Sequence, residues 1–311
     1  MVSGIIAAVL MLALWLGLDR SIARRLVLAA VIPAVAVAVP AAIGLPDSAR
    51  AGVGAPLLLL VLGGICGAIL DFSKLPERIC LIVAGVILIL GAWLVLAAPV
   101  NGLGYHPGAI KFLAWMAFLV VGGCFLWITR PDFSEDDAEP AKATKAKKTK
   151  ASKAKSAKTT SGDAPTLAEA VEPGPVAVLM TLALGVGIIA HQFMRTDHVV
   201  FQGALWIALV VALISEKAAP QYRAAVWLGV VGALMADAAS VMIAVPASCL
   251  AFAVLLLVVS GKRAAKSLAD HLPDTSPAQV AVLGLVIRFG VLALPLVMAA
   301  LVAYVGAEMA Y

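Results

Sequence analysis

The chain has 311 residues, 63% of them hydrophobic and only 13% charged, with a mean hydropathy of +1.04. Soluble domains use about 45–50% apolar and about 25% charged residues, so a water-soluble globular fold is excluded. An outer-membrane barrel is excluded as well, because residues 81–98 and 280–302 are nearly continuous apolar runs rather than alternating strands. The formal charge of +5 is unevenly spread: eight of the 23 Lys and Arg residues fall between Lys142 and Lys158.

Ten apolar segments follow one another, at 2–18, 26–45, 53–70, 79–100, 111–129, 173–193, 199–215, 224–243, 245–261 and 280–303. About 20 apolar residues in helical form cross the hydrocarbon core of a bilayer, and a helix satisfies its own backbone N–H and C=O groups there. The predicted fold is all-α, a polytopic membrane bundle of about ten transmembrane helices. No Lys or Arg precedes the first segment, whereas Arg20, Arg24 and Arg25 follow it. A secretory leader has the reverse polarity, so this segment reads as a retained helix.

Loop charge sets the expected orientation. Arg20, Arg24, Arg25, Lys74, Arg78, Lys217, Arg223, Lys262, Arg263 and Lys266 all lie in alternate loops, on the side that also carries Arg130 and the lysine tract. The opposite loops hold Arg50, Lys111 and Arg195. Lys and Arg collect on the cytoplasmic side, which gives an N-out, C-out topology. The run from Ala224 to Gly261 has basic flanks at both ends, so it must cross twice. It turns between Met235 and Pro246, as a hairpin or as a re-entrant pair.

The segment 130–175 opens acidic, with Asp132, Glu135, Asp136, Asp137 and Glu139, and continues as a Lys/Ala/Thr/Ser tract. It has no apolar periodicity from which to build a core, and is expected to be a disordered cytoplasmic linker. It divides the chain into five-helix membrane halves, 1–129 and 176–311. The lysines from Lys142 to Lys158 suit a spacer with weak attraction to anionic lipid. Without interleaved aromatics they do not form a stacking surface for single-stranded nucleic acid, and no specific nucleic-acid partner is expected. A Lys-Pro-Arg order recurs in two loops, Lys74, Pro76, Arg78 and Lys217, Pro220, Arg223. An internal duplication would give this order, but short cytoplasmic loops draw Lys, Arg and Pro on their own, and that is the stronger reading.

Ionisable groups inside a bilayer are candidates for a substrate or ion pathway. Asp237 and Arg288 qualify. Arg288 lies eight residues into the last segment, about 12 Å deep at helical rise. Asp237 either pairs with it or, if the hairpin turns at 236–240, is an exposed loop residue. His106, His191 and His198 fall near the outer face and His271 inside; with no recurring ligand spacing among them, they read as polar anchors at helix ends. Cys66, Cys80, Cys124 and Cys249 stand singly, as small buried apolar residues. No metal site or cofactor is expected.

Paired glycines at Gly63-Gly64 with Gly67, at Gly122-Gly123, at Gly185 with Gly187, and at Gly229 with Gly232 permit close helix approach. Pro33, Pro40 and Pro295 interrupt spans in the manner of transporter helices. The leading functional expectation is a secondary transporter or permease for a small solute. The alternative is a non-catalytic scaffold or assembly factor bound to other membrane proteins. An enzyme is disfavoured, because no nucleophile–base pair or metal set can be assembled. Alanine-rich spans fit a GC-rich bacterial source, which would place the chain in the inner, cytoplasmic membrane.

Overall fold

The structure is a computed structural model, described here for residues 2–17, 20–46, 52–73, 77–96, 107–131, 173–215, 224–271 and 277–310. Among these residues there is no strand. The linker at 132–172, including the tract from Lys142 to Lys158, lies outside them, as does the loop 216–223 that carries one copy of the Lys-Pro-Arg order.

Five helices precede the linker: α1 (Val2–Gly17), α2 (Arg20–Ile43), α3 (Gly54–Ser73), α4 (Glu77–Leu96) and α5 (Pro107–Ile128). Beyond it come α6 (Pro175–Gln192), α7 (Thr196–Ser215), α8 (Ala224–Ala244), α9 (Pro246–Ser260), α10 (Gly261–Asp270) and α11 (Pro277–Ala310). Each expected apolar segment is helical over most of its described residues. Among the described residues, five helical stretches are long and apolar enough to cross a membrane: Gly54–Asp71, Arg78–Leu96, Pro175–Gln192, Ala224–Ala244 and Val282–Met309. The helices α2 and α11 run on through Pro33, Pro40 and Pro295.

The outer surface is what hydrocarbon requires. On α4, Ile82, Val86, Ile89 and Trp93 form one exposed stripe at helical spacing. On α11, Leu285, Phe289, Val297, Leu301 and Tyr304 are all more than half exposed. Contiguous apolar faces of this kind are not left open to water, and they are compatible with an integral membrane protein.

The centre of the bundle is α8. Of its span 72% is buried, against 11% for the more apolar α11 at the periphery. Two features seat it. Its first turn has N–H groups with no helical acceptor, and the backbone N–H groups of Ala224 and Ala225 donate to the two carboxylate oxygens of Asp71, on α3, each at 3.0 Å. The carboxylate also meets the positive end of the helix dipole. One turn later the helix widens into a π-helical segment, Trp227–Val231, and fully buried Trp227 donates its indole N–H to the carbonyl of Leu126 at 3.1 Å. That carbonyl is in the last turn of α5, where helical donors have run out.

The glycines of α3 make the π-segment fit. A Cβ on Gly63 would collide with the carbonyl of Leu228, and one on Gly67 with the carbonyl of Ala224. From the other side, a Cβ on Gly229 would sit 2.9 Å from the Leu60 oxygen. The two backbones are therefore in direct contact, as the glycine pattern implied.

Several sequence expectations are corrected. The break after α8 is not among them, because it falls within the expected window: α8 stays helical to Ala244, and Val245 leaves helical geometry just before Pro246. The stretch after Gly261 is not a bare loop, because α10 packs Ala265 against Ile287 and Val291 of α11 and leaves Arg263 and Lys266 exposed. Of the four cysteines only Cys80 is buried, whereas Cys124 and Cys249 face outward.

Candidate functional site, a buried His–Asp–Gln cluster

At the end of the bundle opposite Asp71, three turns converge. The α6–α7 turn is tight: Arg195 N–H donates to the Ala190 carbonyl at 2.8 Å, while Met194 takes a left-handed φ of 55°. Beside it lie Gly52, in the approach to α3 and against the Asp197 carboxylate, and the α8–α9 turn, whose Ala247 carbonyl is near Gly306 of α11. Asp197 sits in the first turn of α7, where a carboxylate is favoured by the helix dipole.

His198 and Gln202 are one helical turn apart on α7, and that spacing puts them on one face. Both are buried, at 0% and 1% exposure, opposite an Asp237 that is also at 0%. His198 Nδ1 lies 2.7 Å from Asp237 Oδ1, and Gln202 Nε2 donates to Asp237 Oδ2 at 2.6 Å. Asp237 is seven residues from the end of α8, so the cluster lies about 10 Å below that terminus. His198 Nε2 makes no hydrogen bond, although the Asp197 carboxylate is 3.7 Å away, and Gln202 Oε1 is also buried without a donor. Asp197 itself is 36% exposed. The residues form a line, from a surface carboxylate through an imidazole to a buried carboxylate.

Of the two readings of Asp237, the structure gives neither. It is helical and buried, not a loop residue, yet its oxygens are held by α7 and not by Arg288. Arg288 is half-buried on α11, which packs along α6, α9 and α10. His198, expected to be an interfacial anchor, is instead part of the cluster. His191 is exposed at the end of α6, and His106 lies outside the described residues. Gln202 was not singled out from the sequence; the signal present was the i, i+4 spacing of two polar residues inside an apolar run. Among the described residues, no group of three or more His, Cys, Asp or Glu is placed to hold a metal.

Two cavities lie elsewhere and are apolar. One void of about 10 Å³ is lined by Leu59, Leu88, Phe118 and Met235 among others, and is at the lower limit for one water. An open groove of about 360 Å³ runs between α2 and α3, past Pro33 and Gly64. No family model, curated protein or solved structure matches the chain.

Proposed function

We propose that the chain is a multi-pass membrane carrier for a small solute, with about ten spans, its N- and C-termini outside and the lysine-rich linker in the cytoplasm. A bacterial inner membrane suits this topology, with the tract from Lys142 to Lys158 against anionic lipid. One observation carries the reading: a fully buried Asp237 tied to His198 and Gln202 between two apolar helices. An ionisable group among helices that face lipid is costly, and such groups mark solute and ion pathways. Arg288, half-buried in the longest helix, is the second candidate on that pathway.

The test is solute-dependent stabilisation of the purified chain in lipid nanodiscs, screened over small anions, amino acids and sugars. A ligand at 100 times its Kd stabilises by about 2.7 kcal/mol. The expected result is one solute class that raises the unfolding temperature of the native chain and has no effect on Asp237→Asn. Stabilisation that is equal in both, or by no class, refutes the carrier reading. A reporter placed after Arg130 tests the orientation, and a periplasmic signal would reverse it.

The apolar lining of both cavities favours a second reading, a non-catalytic scaffold whose outward faces bind other membrane proteins. Copurification of a stoichiometric membrane partner, undisturbed by Asp237→Asn, would select it.

A further inference from the structure

We infer that the His198–Asp237–Gln202 cluster is a proton-binding site, loaded through Asp197 from the end of the bundle where α7 begins. This rests on the carrier reading and names its coupling ion, the proton.

The argument begins with charge. Ionised Asp237 with neutral His198 leaves one net negative charge at a site with no exposure, offset by two hydrogen bonds. A buried charge without a compensating partner is expensive. One added proton neutralises the cluster, and neutral imidazole with a carboxyl does so without burying separated charges. A metal ion does not fit as readily. Asp237 Oδ1 and Oδ2 are already engaged at 2.7 and 2.6 Å, and among the described residues no group of three or more His, Cys, Asp or Glu is placed to hold a metal.

Gln202 is suited to both protonation states. As placed, its amide N–H donates to a carboxylate and leaves Oε1 buried without a donor. A carboxyl protonated on Oδ1 still offers Oδ2 as an acceptor, so the same Gln202 N–H bond holds after protonation.

His198 supplies the route. A proton from Asp197, or from a water on it, arrives at Nε2, which has no hydrogen bond and faces that carboxylate at 3.7 Å. The Nδ1 proton passes to Asp237 Oδ1 at 2.7 Å. His198 is left neutral with its proton on Nε2, Asp237 is left neutral, and the donor has lost one proton. The two nitrogens of a histidine permit this relay.

Among the described residues, the charges at this end of α7 are these. Arg195 and Asp197 stand at the head of α7, and His191 is exposed at the end of α6. The described part of α1 has no ionisable side chain. Asp71 of α3 and Arg78 of α4 are at the opposite end of the bundle.

The experiment is proton uptake by the full chain in liposomes after an alkaline-to-acid jump, followed with a pH-sensitive dye and needing no solute. The native chain should take up one proton more than Asp237→Asn. His198→Gln and Asp197→Asn should slow uptake at least tenfold. Infrared difference spectra of the unmodified chain over the same jump should contain a carboxyl C=O band characteristic of apolar surroundings, a readout that holds even if Asp237→Asn does not fold. Equal uptake by the native chain and Asp237→Asn, absence of that band, or protection by sodium in place of acid overturns the inference. Proton uptake without any transported solute would leave the site standing and remove the carrier. Solute movement without uptake would do the reverse.

Discussion

Replacing Gly63 or Gly67 with alanine tests the α3–α8 contact through the sign of the effect. In a helix interior, glycine to alanine stabilises by about 1 kcal/mol through propensity alone. At these two positions the new methyl meets backbone carbonyls of α8, Leu228 and Ala224, which cannot move aside as a side-chain tip can. Inserting a methyl into a closed contact costs about 1–3 kcal/mol, so each single change should destabilise by up to about 2 kcal/mol after the propensity gain is subtracted. The two sites lie one turn apart, and once α3 is pushed off α8 the second methyl is accommodated by the same movement. The double variant should therefore lose less than the sum, as neighbouring sites do. Gly85 on α4 is the control, since a Cβ there meets nothing within 4 Å, and its alanine variant should be neutral or more stable. Reversible unfolding by detergent titration in mixed micelles measures all four. If Gly63→Ala and Gly67→Ala behave like Gly85→Ala, the backbone contact does not exist and α8 is not seated as described.

Three other outcomes are expected. His198→Leu or Asp237→Leu alone should cost about 3–5 kcal/mol by leaving a buried partner exposed to no counter-group, and the double variant should recover much of that; strict additivity in the cycle would mean the two side chains do not interact. Asp71→Ala should cost about 1–2 kcal/mol, because two N–H groups at the start of α8 lose their acceptor, and unchanged stability would argue against the carboxylate cap. Met194→Gly should stabilise by about 1 kcal/mol, since the left-handed backbone there penalises any Cβ and the methionine side chain is 76% exposed; a loss of stability would show that this side chain packs after all.

The medium was legible in the chain because it depends on run length and polarity alone. Residues 81–98 cannot be other than a buried or lipid-facing helix, whichever neighbours they have. Glycine spacing also announced close packing at Gly63 and Gly67, though not against which helix. The candidate site was half legible. Asp237 stood out as a carboxylate inside an apolar run. Its partners did not, because His198 sits near a helix start, where polar residues are ordinary, and Gln202 carries no charge to attract notice.

Hydropathy alone determined the helical, membrane-compatible character of this protein, since each residue's transfer preference is a local property that sums along the chain. It could not rank α8 above α11: both are apolar, and burial among helices and exposure to lipid ask for the same side chains. Only the tertiary structure decided that α8 is central, that Asp71 caps it from more than 150 residues away in sequence, and that Asp237 turns to α7 and not to Arg288. A hydrogen bond is short-ranged and directional, so its partner is fixed by which helix faces come together, and facing is a property of the packed bundle that no single segment contains.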